Sequence, residues 1–230
     1  MKPPEHVSTT ALKRIIIVML VLAAVLASVS CQQADVPDKP YEPDDDGTMI
    51  LIGDLRINVD ESLIEAKSSG LTTDDIQQLS RARALTVLSL DDNEIDDISI
   101  LSSMTSLESL SVSYNNLTDI EPLAGLTGLT WLHLGNNQIE DINILRDLTG
   151  LEYLILFDNN IKDISPLRDL SSLGHLDLRN NAIDDISVLF GLTNLTYLNL
   201  SGNPINKEDF DKLKSTLVDC NIIGGEVDQP

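Results

Sequence analysis

Residues 151–172 read LEYLILFDNNIKDISPLRDLSS, and this stretch decides the fold. It opens with the spacing L-x-x-L-x-L-x-x-N. In an extended strand the leucines at the fourth and sixth positions share one face, whereas Tyr153, Ile155 and Phe157 share the opposite face. Three large apolar side chains therefore point away from the leucines, and the second face needs its own explanation.

The same pattern recurs every 22 residues. Each of six units opens with L-x-x-L-x-L-x-x-N-x-L, in which Val or Ile is the only replacement for Leu; the units begin at Leu85, Leu107, Leu129, Leu151, Leu173 and Leu195. Six copies in register exclude chance agreement. We expect the ninth-position asparagines to be buried, with amides that satisfy backbone groups where each strand ends: Asn93, Asn115, Asn137, Asn159, Asn181 and Asn203.

This period predicts an α/β solenoid of the leucine-rich repeat type. Each unit contributes one short strand to a parallel, concave β-sheet and returns along the convex side, and stacked units share one core. A 22-residue unit leaves no room for a full helix, and Pro122 and Pro166 lie in the return. We therefore expect turns or short 3-10 helices on the convex side.

Both ends of a solenoid need caps. We expect a helical N-terminal cap over residues 49–84, the repeats over residues 85–205 and a helical C-terminal cap over residues 206–225, followed by a tail over residues 226–230.

Local signals fill in the caps. They predict a hairpin over residues 49–59, a short helix over residues 60–70, and then a second helix with Thr73 as its N-cap. In the C-terminal cap, Asn206 is expected to cap a helix. Leu217, Cys220 and Ile222 then take the first, fourth and sixth positions of a degenerate last strand, with Cys220 as a small buried hydrophobe.

Residues 1–30 have the pattern of a secretory signal peptide. Lys13 and Arg14 precede an apolar run of 15 residues, and small residues lead to Cys31. This junction resembles the lipobox of bacterial lipoproteins, which implies that Cys31 carries a lipid, although Ser28 stands where that family usually has Leu. An uncleaved N-terminal anchor is the alternative.

Residues 31–48, rich in proline and acids, cannot build a core and are expected to form a disordered stalk. Either form of attachment then holds the remaining chain on the extracytoplasmic side of a membrane, on the bacterial cell surface or the periplasmic face. The net charge of −22 gives no basic footprint for nucleic acid.

The phrases D-I-S-P-L at residues 163–167 and D-I-E-P-L at residues 119–123 resemble the bacterial internalin-like repeats. The resemblance covers about residues 70–225. It implies a cell-surface protein with short 22-residue repeats and names no ligand. A regulatory subunit of an intracellular phosphatase uses the same short repeat. The predicted signal peptide argues against a relationship to that intracellular protein.

The third, fifth and seventh positions of each unit point away from the core, onto the concave sheet. Five of the eight aromatic residues and two of the three histidines lie there or at the sheet's edge. Exposed aromatic clusters mark binding surfaces. We expect the partner-binding residues to be Tyr114, Trp131, His133, Tyr153, Ile155, Phe157, His175, Arg179 and Tyr197.

Within this set, Trp131, Tyr153, Ile155 and Phe157 belong to two adjacent strands. They are expected to form one exposed apolar patch outside the core.

Three polar members flank this patch. His133 and His175 are expected to make binding pH-sensitive, and Arg179, the one cation in these columns, offers an acidic partner group a contact.

Other chemistry finds little support. An acidic column at Asp97, Asp119, Asp141, Asp163 and Asp185 is expected to cap turns rather than to bind cations. His133 and His175 are two repeats apart, so we expect no metal site. No catalytic motif occurs, nothing in the sequence buries or orients a Ser-His-Asp set, and we expect neither an enzyme nor a cofactor.

The sequence thus predicts a monomeric, membrane-tethered module on the cell surface that recognises a partner protein through its concave face. Binding of an envelope carbohydrate and a structural spacer without a specific ligand are the two alternatives.

Overall fold

The computed structural model describes residues 49–225. The predicted signal peptide, the lipidation site at Cys31, the stalk and the C-terminal tail lie outside these residues. Across residues 49–225 no helix is both long enough and apolar enough to cross a membrane.

Eight parallel strands in sequence order form the main sheet, and the predicted solenoid is confirmed. The strands are β3 (Leu63–Glu65), β4 (Val87–Ser89), β5 (Ser109–Ser111), β6 (Trp131–His133), β7 (Tyr153–Ile155), β8 (His175–Asp177), β9 (Tyr197–Asn199) and β10 (Asn221–Ile223). From β4 to β9 equivalent positions of the repeat stand opposite one another, so each column of the sequence becomes a row across the sheet.

The core lies on the convex side of this sheet. Leu154 and Leu156 are fully buried, as are their counterparts in the other repeats. Burying one such side chain is worth about 1.5–3 kcal/mol, and each repeat adds another layer. The convex returns are short 3-10 helices, as predicted: Ser99–Ser103, Glu121–Leu123, Asn143–Asp147, Ser165–Leu167 and Ser187–Gly191.

The asparagine ladder ties each repeat to the one before it. The Nδ2 of Asn137 donates to the carbonyl oxygens of Val112 and Leu134, at 2.9 and 3.1 Å, and its Oδ1 accepts from the Leu117 backbone nitrogen at 3.0 Å. One buried amide thereby satisfies three backbone groups that have no partner within their own strand.

The N-terminal cap departs from its prediction. The hairpin is confirmed, with β1 (Met49–Ile52) antiparallel to β2 (Leu55–Asn58). The short helix over residues 60–70 is wrong, because this segment contains β3, which adds a strand to the main sheet. Ile64 stands opposite Leu88 and is buried, so burial and ladder hydrogen bonds outweigh local helix signals.

The second predicted helix is a 3-10 helix, Thr73–Arg81, and its N-cap is Thr72 rather than Thr73. The Thr72 backbone nitrogen donates to the Asp75 carboxylate at 2.7 Å. A carboxylate three residues after the cap fixes the start of the helix one residue earlier than predicted.

The C-terminal cap holds helix α1 (Lys207–Thr216), and the Asn206 side chain accepts from the Asp209 backbone nitrogen at 2.8 Å, as predicted. The last strand exists, but its predicted register is wrong. Ile222 rather than Cys220 stands opposite Leu198, because the cap contains two residues more than a regular repeat. Cys220 is half-buried without a disulfide, and this burial raises the pKa of its thiol.

Candidate functional site

The structure brings the nine predicted binding residues onto or beside the concave face of one sheet. Trp131 stands opposite Tyr153 and His133 opposite Ile155, so the two adjacent strands of the predicted patch are confirmed. Neither Trp131 nor Phe157 belongs to the leucine core.

The exposure of these side chains differs from the prediction. Tyr114 is 48% exposed, but Trp131 and Phe157 keep only 8% and 6% of their surface exposed. The predicted exposed patch is therefore wrong at Trp131 and Phe157, and His133, which was expected to flank the patch, is also buried. Half-buried positions make up the rest of the predicted surface: Tyr153, Ile155, His175, Arg179 and Tyr197.

Trp131 and Phe157 are buried because aromatic rings pack on one another above the sheet. We call Tyr114, Trp131, His133 and Phe157 the aromatic cluster. The His133 ring lies 5.8 Å from the Trp131 ring and 5.5 Å from the Phe157 ring, centroid to centroid. The edge of the Tyr114 ring meets Phe157 at 6.0 Å. These contacts shield apolar ring surface from water without any partner.

Arg179 is already engaged within the chain, so its predicted availability to an acidic partner is reduced. Its guanidinium lies 4.3 Å above the Phe157 ring and 3.7 Å from the Asp177 carboxylate. It is not the one cation of these columns either. Lys67 lies just after β3, at the seventh position of the unit, in a segment predicted to be a helix.

The C-terminal half of the face carries a second group of rings, which we call the aromatic ladder: Tyr153, His175 and Tyr197. His175 stacks on Tyr197 at 4.2 Å with an angle of 7° between the rings, and on Tyr153 at 5.6 Å and 26°. The two tyrosines therefore cover both faces of the imidazole, and burial lowers the pKa of His175. All three ladder residues are half-buried, so part of each side chain remains accessible to solvent.

The N-terminal half of the face is polar and centres on Asp91. One carboxylate oxygen, Oδ1, accepts from the Ser111 hydroxyl, and from the hydroxyl and backbone nitrogen of Ser113 at 2.7 and 2.9 Å. The other oxygen, Oδ2, accepts from the Ser89 hydroxyl at 2.9 Å and lies 3.5 Å from Lys67 Nζ. Burial alone would raise the pKa of Asp91, but the serine hydrogen bonds outweigh it and lower that pKa.

Asp91, Ser111 and His133 form a connected, oriented set, although nothing in the sequence predicts one. Ser111 Oγ lies 3.3 Å from His133 Nδ1 and donates its proton to Asp91. In a catalytic triad the histidine stands between the acid and the serine and takes the serine's proton. Here the serine stands in the middle and is buried, so the order of contacts does not activate it as a nucleophile.

His133 is neutral at physiological pH. Its pKa is lowered to about 4, first because burial disfavours the charged imidazolium and then through Lys67 and Arg179, although Asp91 opposes the shift. His175 shifts in the same direction. The predicted pH sensitivity of binding through these two histidines near neutrality therefore loses its physical basis.

Tyr114 occupies an unusual backbone position. The eighth residue of each unit has a left-handed conformation, with φ between +52° and +73°, and the other residues there are Ser68, Asp92, Asn136, Asp158, Asn180 and Gly202. Asn, Asp and Gly tolerate this conformation, whereas a bulky aromatic is an outlier in it. Tyr114 has a φ of +53°, and backbone conformation does not explain why a tyrosine occupies this position.

The acidic column caps turns, as predicted. In every member the Oδ1 atom accepts from the backbone nitrogen two residues later, at 2.7–2.8 Å; the residues are Asp97, Asp119, Asp141, Asp163 and Asp185. Within residues 49–225 no three His, Cys, Asp or Glu residues cluster in a way that could hold a metal ion.

The interpretation of the sequence missed the polar half of the face. The available signal was the group of serines at outward positions of two adjacent units: Ser89, Ser109, Ser111 and Ser113. The position of Lys67 could not be found in this way, because it depends on the pairing of β3.

A family model described as Leucine Rich repeats (2 copies) matches the chain at five overlapping spans: residues 83–125, 105–148, 127–169, 149–191 and 171–215. No curated protein sequence matches the chain.

Solved structures similar to this one include two internalins of Listeria monocytogenes str. 4b F2365. InlF has a TM-score of 0.67 and 28% identity, over 73% of this chain and 49% of InlF. Internalin C2 has a TM-score of 0.58 and 30% identity, over 70% of this chain and 79% of that structure. This chain thus spans about half the length of InlF.

A leucine-rich repeat protein of Leptospira interrogans is similar in fold alone, at 22% identity and a TM-score of 0.53, over 64% of this chain and 44% of that one.

Proposed function

Because the chain belongs to the leucine-rich repeat proteins and its fold is internalin-like, we propose that it binds a partner protein through the concave face of its sheet. Leucine-rich repeat domains generally act as protein-interaction modules. The face proposed here combines the exposed Tyr114, the accessible parts of the aromatic ladder and the half-buried Ile155.

Tyr114 carries this proposal. A non-glycine residue held in a sparsely populated backbone region costs of order 1–3 kcal/mol, and such strain concentrates at functional sites. The side chain is nearly half exposed, and its ring packs on Phe157, which also packs on His133 and Arg179. A large exposed ring kept where Asn would be favourable supports a role in contact with a partner.

The ring geometry favours a protein over a carbohydrate. Sugars stack on open aromatic faces, but in the ladder both faces of His175 and one face of each tyrosine are occupied. A structural spacer offers no reason for Tyr114 at all. The proposed function is binding without catalysis, because Ser111 is buried and is not activated as a nucleophile.

We also propose that the chain acts as a monomer outside the cytoplasm, attached to the bacterial cell surface or the periplasmic face of a membrane through a lipid on Cys31. The support is the sequence of residues 1–31 and the acidic, proline-rich stalk that follows.

The test compares Tyr114→Asn with wild type in capture of surface proteins from the native cells. We expect the variant to melt at the same or a higher temperature and to bind the captured partner at least tenfold more weakly. Asn136→Asp, in the same column one repeat away, is the matched control and should bind normally. Equal affinity of the Tyr114→Asn variant and wild type would reject the proposal.

A further inference from the structure

One buried polar atom of the concave face has no partner. Within residues 49–225 the Nε2 atom of His133 is the side-chain nitrogen or oxygen that is buried without a hydrogen bond. An unpaired buried polar atom destabilises the folded state, and folded chains rarely retain one without a functional reason. The atom sits inside the aromatic cluster, 22 residues along the chain from Ser111 on the adjacent strand.

The contacts of Ser111 determine which ring nitrogen carries the proton. A serine hydroxyl has one hydrogen, and that of Ser111 is donated to the Asp91 carboxylate. The hydroxyl oxygen can then only accept from His133 Nδ1, so Nδ1 bears the hydrogen and Nε2 holds a free lone pair. His133 therefore offers an acceptor, fixed in direction by Ser111 and Asp91.

The Phe157 ring packs against the imidazole that carries this acceptor and lies outside the leucine core. Its ring contacts His133, the edge of Tyr114 and the guanidinium of Arg179, and it lies over Gly135, which has no side chain. None of these neighbours belongs to the leucine core. Rotation of Phe157 would therefore break its contacts with these residues of the concave face.

The surrounding charges select a neutral group. Five contacts already occupy both carboxylate oxygens of Asp91, and Lys67 compensates its charge. Arg179 adds a second positive charge on the other side of Phe157. A further cation beside His133 would meet two cations and no free carboxylate, whereas an amide or a hydroxyl needs only the lone pair.

We propose that His133 Nε2 is a covered acceptor that takes one neutral N–H or O–H donor of the partner protein when Phe157 turns aside. This inference rests on the proposed function. It makes His133 a specificity-determining residue, because a partner without a donor at this point would leave the acceptor buried and unpaired.

The experiment uses no partner, so it fails or succeeds independently of the proposed function. The full chain is labelled with ¹⁵N-histidine, and the His133 signals are assigned with a His133→Gln variant. We expect hydrogen on Nδ1 and none on Nε2. In Phe157→Ala, acetamide should produce a saturable shift of Nε2, whereas methylammonium, a charged donor of similar size, should not.

Diethyl pyrocarbonate gives a second readout, because it acylates an accessible, unprotonated imidazole nitrogen. Its rate at His133 should rise at least tenfold in Phe157→Ala and remain at the wild-type value in Tyr153→Ala, which removes a ring of the ladder instead. Phe157→Leu replaces the alanine variant if that protein does not fold.

Three results would overturn the inference: hydrogen on Nε2, equal shifts with acetamide and methylammonium, or no shift with either. If acetamide binds as expected but Tyr114→Asn leaves partner capture unchanged, the acceptor site stands and the proposed function alone fails. If capture falls with Tyr114→Asn and acetamide has no effect, the acceptor site alone fails.

Discussion

The ring of Phe157 fills the space that a side chain at Gly135 would occupy. A Cβ atom on Gly135 would lie 2.6 Å from Cε1 of Phe157, far inside van der Waals contact. The φ angle of Gly135 does not require glycine, so the reason for it is this close approach. One small residue just beyond the end of β6 thus lets a ring from the next repeat reach across to His133 and Tyr114.

Gly135→Ala should therefore displace Phe157 from the aromatic cluster. We expect a loss of about 1–3 kcal/mol in the free energy of unfolding, the range for overpacking, measured by denaturant melting. Gly191→Ala is the control, since nothing lies within 4 Å of a Cβ there, and it should change stability by less than about 0.5 kcal/mol. Equal stability of the two variants would contradict the assigned packing.

The asparagine ladder should be structural. Asn137→Ala removes partners from the backbone groups of Leu117, Val112 and Leu134, and we expect a loss of about 1–3 kcal/mol in unfolding free energy. Gln138→Ala changes an exposed neighbour and should have little effect. A difference below about 0.5 kcal/mol between the two variants in urea melting would refute this role.

His133 should make stability depend on pH. The pKa of His133 is about 4 in the folded chain against an ordinary value of 6.5, so the unfolded chain takes up a proton first as the pH falls. Unfolding free energy should thus decrease by about 2–4 kcal/mol between pH 6.5 and pH 4 through this residue, and no further below that window. His133→Gln should flatten the curve there.

The matched control for this pH effect is His175→Gln, which removes a histidine whose pKa is lowered in the same direction by burial. Denaturant melts at a series of pH values measure the difference from wild type. Identical slopes for wild type and His133→Gln between pH 6.5 and pH 4.5 would show that the imidazole is not buried in the neutral form.

Cys31→Ser should abolish membrane attachment by lipid. We expect the variant either to appear in the medium or periplasm or to keep its leader unprocessed, as judged by fractionation and intact mass. Unchanged fractionation together with no acyl mass on wild-type Cys31 would identify an uncleaved anchor instead.

Calcium should not be needed for folding, because every carboxylate of the acidic column already caps its own turn. Chelator added to purified protein should leave the melting temperature within about 1–2 °C. A decrease of more than a few degrees would mean that the capping role of these residues is incomplete.

The repeats were predictable because their constraint is local and repeated. The position that Leu154 occupies must be buried in every unit of the stack. The same residue type therefore recurs every 22 residues, and this recurrence reveals the fold. The N-terminal cap has no such copies. The residues around Ile64 carry helix signals, but pairing with β4 decides their structure, and the register depends on a contact that the local sequence does not encode.

Alternation by itself determined which side chains face the concave surface, since a strand points successive residues to opposite sides whatever their neighbours are. Only the tertiary structure decided which of these side chains remain accessible. Phe157 lies over Gly135 and under Arg179, while Tyr114 stays in solvent on a left-handed turn. Exposure depends on the way in which long side chains from neighbouring repeats pack across one another. No single repeat contains that information.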